Sequence, residues 1–94
     1  EKYDKMYNMI EVSVVHKAFR KKPKEVAQVW VDKNLTLNQM LDKAFMLTNN
    51  IDDAWWNNKD VVCLEKTRST MSGDQVIIKG HTYECMDRGW RTLG

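Results

Sequence analysis

Hydrophobic and polar positions change rhythm several times along the chain, and each rhythm predicts an element. From Met9, Ile10, Val12 and Val14 alternate with Glu11 and Ser13, a period of two that predicts a half-buried strand with one wet face. Arg20-Lys21-Lys22-Pro23-Lys24 breaks it. A proline cannot donate a ladder hydrogen bond and adjacent like charges prefer water, so the segment reads as an exposed loop between strands. Val26 to Val31 resumes a β pattern, with Val29 and Val31 on one face and Trp30 on the other, and Asp32-Lys33-Asn34 ends it.

At Leu35 the period changes to that of a helix. Thr36 suits an N-cap, and Gln39 stands three residues on, where it can close a capping box; Leu35 and Met40 fit the hydrophobic staple that accompanies one. Leu37, Met40, Leu41, Ala44, Phe45 and Thr48 form one apolar stripe, and Asn49-Asn50 tolerate the left-handed backbone that ends helices. The spacing predicts a helix over 37–48. Asp52-Asp53 precede Trp55-Trp56 and suit the cap of a short helical turn. Its adjacent tryptophans point different ways, one inward and one to the surface. Val61 to Leu64 is a short strand. Ser72-Gly73-Asp74 then opens a hairpin: Val76, Ile77 and Ile78, a Lys79-Gly80 turn in which Gly80 meets the positive φ of a tight turn, and a return strand ending in Gly89-Trp90. Everything upstream is expected to pack on this hairpin.

The order of elements predicts an α+β fold: one amphipathic helix packed on a mostly antiparallel sheet of about four to five strands, grasp-like or a half-open barrel. Ninety-four residues suit a single domain, 1–94, with residues 1–8 frayed, although Tyr3, Met6 and Tyr7 can cover an edge of the core. An apolar fraction of 43% and a charged fraction of 30% are those of an ordinary globular chain. A net charge of +2 excludes a strongly acidic DNA mimic and gives no general pull toward nucleic acid. No apolar run is long enough to cross a membrane, and no membrane partner is expected. Six methionines and two cysteines suggest a reducing, cytoplasmic setting. Cys63 and Cys85 read as small core residues, with a disulfide open to them if their strands are neighbours.

Candidate chemistry is sparse. His16 and His81 are far apart and carry no nucleophile motif. His81, Tyr83 and Cys85 share one strand face, an arrangement that serves packing far more often than catalysis. Cysteine and histidine spacing matches no metal site, and no cofactor or catalytic residue is expected. Two anomalies remain. Lys17, Arg20, Lys21, Lys22 and Lys24 place five positive charges within eight positions, beside Phe19 but with no further aromatic interleaved. They read either as a phosphate-contacting loop or as a solvated hairpin tip that discourages edge pairing. Four tryptophans are also many for this length. A surface Trp55-Trp56 pair would anchor a protein partner, with Arg68, Arg88 and Arg91 as its charged rim.

Leu35-Thr36-Leu37, Ala44-Phe45, Thr48-Asn49, Trp55-Trp56, then Arg68-Ser69-Thr70-Met71-Ser72-Gly73-Asp74-Gln75-Val76, Tyr83 and Gly89-Trp90 resemble a module of small phage and mobile-element proteins, the YodL-like group. There a helix with an aromatic tail precedes an R-S-x-S-x-G-D-V-V strand start, and a hairpin closes with Y-x-V and G-F/W. The resemblance runs from Leu35 onward; Met71 and Ser72 stand where the pattern has Ser-Val, and Gln75 replaces an apolar residue. It implies a phage or mobile-element accessory protein and no particular chemistry. The residues alone give the motif a bracing role: Asp74 accepts turn amides, Arg68 pairs with Asp74 or a carbonyl, and Ser69 and Thr70 satisfy loop amides. The hairpin also shares a G-D-x-V…G-x-x-Y-x-C rhythm with small chitin-binding modules, which implies carbohydrate or small-ligand binding.

These observations favour a non-enzymatic protein that binds a host or defence protein through an aromatic patch. The alternative is nucleic-acid binding through residues 17–24. Oligomeric state is left open by the sheet edges.

Overall fold

A computed structural model describes residues 8–93 of the chain; the fraying expected of residues 1–8 and the edge-covering role expected of Tyr3, Met6 and Tyr7 lie outside the described residues, apart from Asn8. Among the described residues, six strands, one α-helix and one short 3-10 turn follow in order: β1 (Met9–His16), β2 (Lys24–Asp32), α1 (Leu37–Leu47), the 3-10 turn (Trp55–Asn57), β3 (Val61–Cys63), β4 (Gln75–Ile78), β5 (His81–Cys85) and β6 (Trp90–Thr92). The fold is α+β. Its sheet runs β3-β2-β1-β4-β5-β6, every pair antiparallel, so it has six strands rather than four to five. The extra one is β6, where the chain turns at Gly89 (φ 74) and lays Trp90 opposite Cys85. The sheet stays open, with β3 and β6 as edges, and is neither a half-open barrel nor a grasp-like fold with parallel central strands.

Alternation puts Val12 and Val14, Ala27, Val29 and Val31, Val76 and Ile78, and Tyr83 and Cys85 on one face, and all are buried. Helix α1 covers that face with Met40, Leu41 and Ala44. Its start is the expected capping box: Thr36 Oγ1 accepts the Gln39 amide at 3.2 Å, and Gln39 Oε1 accepts the Thr36 amide at 3.0 Å. Leu37, expected on the apolar stripe, is instead 44% exposed, and the buried part of the helix begins at Met40. At the far edge Trp90 meets the helix, stacking edge-on against Phe45 and donating from Nε1 to Asp42 at 3.0 Å. The helix therefore spans from β2 to β6, and both halves of the chain share one core. No helix among the described residues is long and apolar enough to cross a membrane.

Candidate functional site

The β1–β2 connection is where the sequence departs furthest from what folding alone requires. Residues Lys17 to Arg20 form a four-residue turn closed by the Arg20 amide donating to the Lys17 carbonyl at 3.0 Å. Its third residue, Phe19, stands at φ 62, the left-handed conformation that such turns ordinarily give to Gly or Asn.

The turn is bolted in place by the Arg68–Asp74 segment. Asp74 is fully buried, and its Oδ1 accepts the amides of Lys17 and Ala18 at 2.9 and 3.0 Å. Oδ2 accepts the Met71 amide at 2.9 Å. Arg68 closes the arrangement with two bonds to that carboxylate, at 2.6 and 3.0 Å, and donates to the carbonyls of Ala18 and Ser69, each at 2.9 Å. Gly73 (φ 96) lies against Ala18, where an added Cβ would come within 3.2 Å of the Ala18 Cβ. Burial works to raise the Asp74 pKa, but the Arg68 guanidinium and the three backbone amides outweigh it and hold the carboxyl below its ordinary value. The bracing role expected of the motif is what the geometry shows, with Ser69 Oγ accepting the Asn50 amide at 2.9 Å. Thr70 differs. It is buried and bonds other side chains instead of a loop amide.

Those side chains are His16 and Thr48. Thr48 ends the helix, and its hydroxyl lies 2.8 Å from the Ala44 carbonyl and 2.7 Å from Thr70 Oγ1. His16 Nε2 lies 3.0 Å from the same Thr70 oxygen. A carbonyl only accepts, so Thr48 donates to Ala44, Thr70 donates to Thr48, and His16 Nε2–H donates to Thr70. That order assigns the proton to Nε2. It leaves Nδ1 as a buried atom without a hydrogen-bond partner. Burial lowers the His16 pKa, and the nearby Asp74, 3.7 Å away, only partly offsets this.

Above this floor stand the basic residues. Lys17, Lys21, Lys22 and Lys24 are exposed, and none of the four is in an ion pair among the described residues. Arg20 is different: its guanidinium pairs with Glu65, whose pKa is lowered mainly by that bond. Phe19, between Lys17 and Lys21 in sequence, has 89% of its surface exposed.

The patch expected of Trp55, Trp56, Arg68, Arg88 and Arg91 is not assembled. Trp55 is fully buried and donates from its indole to the Thr67 carbonyl at 2.9 Å, so it is a core residue and cannot anchor a partner. Trp56 is half-exposed, edge-on to Trp55 and with the Lys66 ammonium 5.8 Å above its ring. One Trp thus faces in and one out, as the adjacency requires; Asp53 Oδ1 accepts the Ala54 amide at 2.7 Å and Asn50 Oδ1 accepts the Trp55 amide at 2.9 Å where their turn begins, while Ala54 at the N-cap has no side chain to bond. Arg68 is committed to Asp74. Arg91, on β6, pairs with Glu84 at 2.7 Å. Arg88 lines a shallow cleft with Ser72, Gly73, Cys85, Met86 and Asp87. The tryptophan turn packs on β3, whereas Arg88 and Arg91 sit at β6, the opposite edge, about 24 Å away at five strand spacings of roughly 4.8 Å.

Cys63 and Cys85 are free; β2, β1 and β4 lie between their strands, which removes the disulfide. Burial pushes the Cys85 thiol up, away from a reactive thiolate. Among the described residues no group of three or more His, Cys, Asp or Glu side chains is placed to hold a metal. Sequence reasoning missed the exposed aromatic and the buried histidine. For His16 the signal was present: it continues the core-facing series Val12, Val14. For Phe19 the only signal was a large apolar residue inside a charged run, out of phase with any stripe.

Compared with protein-family models, curated proteins and solved structures, the chain matches none.

Proposed function

We propose that the domain binds nucleic acid through the β1–β2 tip. The observation that carries this is the presentation of four exposed lysines, none in an ion pair among the described residues, on either side in sequence of an exposed aromatic on a turn whose backbone the fold holds from beneath. A solvated tip has no need of a buried carboxylate and a bidentate arginine to fix its backbone; a site that must meet phosphates in register does. No catalytic role is assigned to any residue in this reading. Phage or mobile-element origin, implied by the resemblance, is compatible with it.

Phosphate contacts release counterions, and each contributes roughly 0.7–0.9 to the slope of log affinity against log salt. Four lysines give an expected slope of roughly −2.8 to −3.6. The test is fluorescence anisotropy of a labelled oligonucleotide across a salt series, with wild type and the double variant Lys21→Glu/Lys22→Glu. The variant is expected to stay folded, bind more weakly at every salt and show a slope shallower by roughly 1.5–2. Binding that ignores both salt and charge reversal overturns the reading.

A second reading, docking of a host or defence protein, now rests on Trp56 alone of the expected anchors, with Val62 and Leu64 (47% and 48% exposed) beside the β3 edge. Under it, Trp56→Ala and not the lysine variant removes binding.

A further inference from the structure

We propose that the nucleic acid is single-stranded and that one of its bases stacks on the Phe19 ring. The inference rests on the reading of the tip given above and goes beyond it by naming the form of nucleic acid and the residue that selects it. Three observations carry it. Phe19, at 89%, is more exposed than any other large hydrophobic residue described, the next being Ile51 at 68%. A ring so wet contributes nothing to the core. Second, the ring sits at φ 62, where a bulky side chain is strained and a glycine is not. The turn would close more easily with Gly, so stability is given up to present a phenyl group there; strain of this kind points to a function. Third, the turn's backbone is fixed at Lys17 and Ala18 by Asp74 and Arg68. A rigid platform loses little freedom when a base settles on it.

The surroundings choose the ligand. Lys17 precedes the ring and Lys21, Lys22 and Lys24 follow it, so phosphates on either side of a stacked base find an ammonium. Arg20, the cation best suited to stacking or to holding a phosphate with two bonds, is already occupied by Glu65. The stacking surface is therefore left to Phe19. Every base has a π face, but a duplex keeps its interior faces covered, whereas a single strand offers them freely. A bilayer is the other home for an aromatic among lysines. It is disfavoured here because the tip carries one large apolar side chain; its neighbour Ala18 is half-buried against Gly73.

The experiment measures binding of the whole chain to an oligothymidylate, to a hairpin duplex of equal length and to phosphatidylserine vesicles at one fixed salt. Wild type is compared with Phe19→Gly, Phe19→Leu and Phe19→Trp. Wild type is expected to prefer the single strand. Phe19→Gly and Phe19→Leu are expected to lose about 5- to 150-fold in affinity for it, the contribution of one base stacked on an aromatic, and Phe19→Trp to retain it. Phe19→Gly is also expected to melt at the same temperature as wild type or higher, because it relieves the strain. Loss of binding in a protein that is no less stable separates a binding role from a structural one. Equal binding of duplex and single strand, undiminished binding by Phe19→Gly, or binding of vesicles alone overturns the inference. If duplex and single strand bind equally while the salt series described above shows its slope, only the stacking inference falls. If neither binds, the nucleic-acid reading falls with it.

Discussion

His16 is kept neutral by its surroundings, and this has a signature in pH. Its ring is enclosed by Thr70 and by charged groups of opposing sign, Asp74 and Glu65 against Arg68 and Arg20, with burial the largest influence and downward in direction. Above the ordinary histidine value of 6.5, neither the folded nor the unfolded chain protonates it. Below that value the unfolded chain takes up a proton the folded chain refuses, so stability falls with pH until the lowered folded value is reached. Asp74 acts in the same direction but in a separate window, below its ordinary 3.8. Urea unfolding at a series of pH values should show wild type losing stability as the pH drops from about 6.5. His16→Gln, whose amide can still donate to Thr70, should stay level until carboxylates begin to protonate. Parallel curves for the two proteins would discard this account. Single residues were unevenly legible in the sequence. Arg68 and Asp74 could be paired because opposite charges six apart flank a Gly-Asp turn, and the structure pairs them. The fate of Phe19 could not be read, since an aromatic in a charged loop gives no period from which to infer a face.

The elements were more legible than the residues, because period, caps and turns are local. The α1 start follows from Thr36 and Gln39 through two backbone bonds, and the strand pattern of β1 and β2 follows from alternation. β6 was hidden because three residues, Trp90 to Thr92, are too few to show a period, and their strand state comes from pairing with β5. The β4–β5 turn shows a local rule only half obeyed. Both central residues have positive φ, Lys79 at 50 and Gly80 at 81, the pattern of a type I′ turn. Glycine suits it and lysine does not. Lys79→Asn is therefore expected to stabilise the fold by roughly 0.5–1 kcal/mol, since Asn tolerates the left-handed region far better. A thermal melt at neutral pH decides it, and a melting temperature at or below that of wild type counts against the assignment. Phe19 has the same backbone fault. The two differ in what the strained side chain is placed to do.

At the scale of the molecule, two antiparallel meanders meet at one seam. β1 pairs with β2 through eight register pairs but with β4 through three, Ser13 with Ile77, Val14 with Val76 and Val15 with Gln75. Beyond the last of these the seam is continued by side chains: Asp74 holds the backbone leaving β1, and Arg68 and Thr70 hold Ala18 and His16. The segment that orients the basic tip is thus also the fastening between the halves of the sheet. No local pattern could announce this, because its partners are fifty or more residues apart in sequence. Asp74→Asn tests it. The amide keeps the shape of the side chain, but its nitrogen end is a donor facing other donors, and the buried charge that satisfied Arg68 is gone. A loss of roughly 2–4 kcal/mol is expected, a large share of the stability of a domain this size. Its distribution is the sharper prediction. Native-state hydrogen exchange should show amides of β4, β5 and the 17–20 turn opening at lower free energy than those of β2 and α1, a gap absent from wild type. A uniform loss across all strands would mean that Asp74 contributes to overall stability without joining the two halves. A gap confined to the seam would mean that any weakening of the motif loosens the binding tip before it unfolds the core.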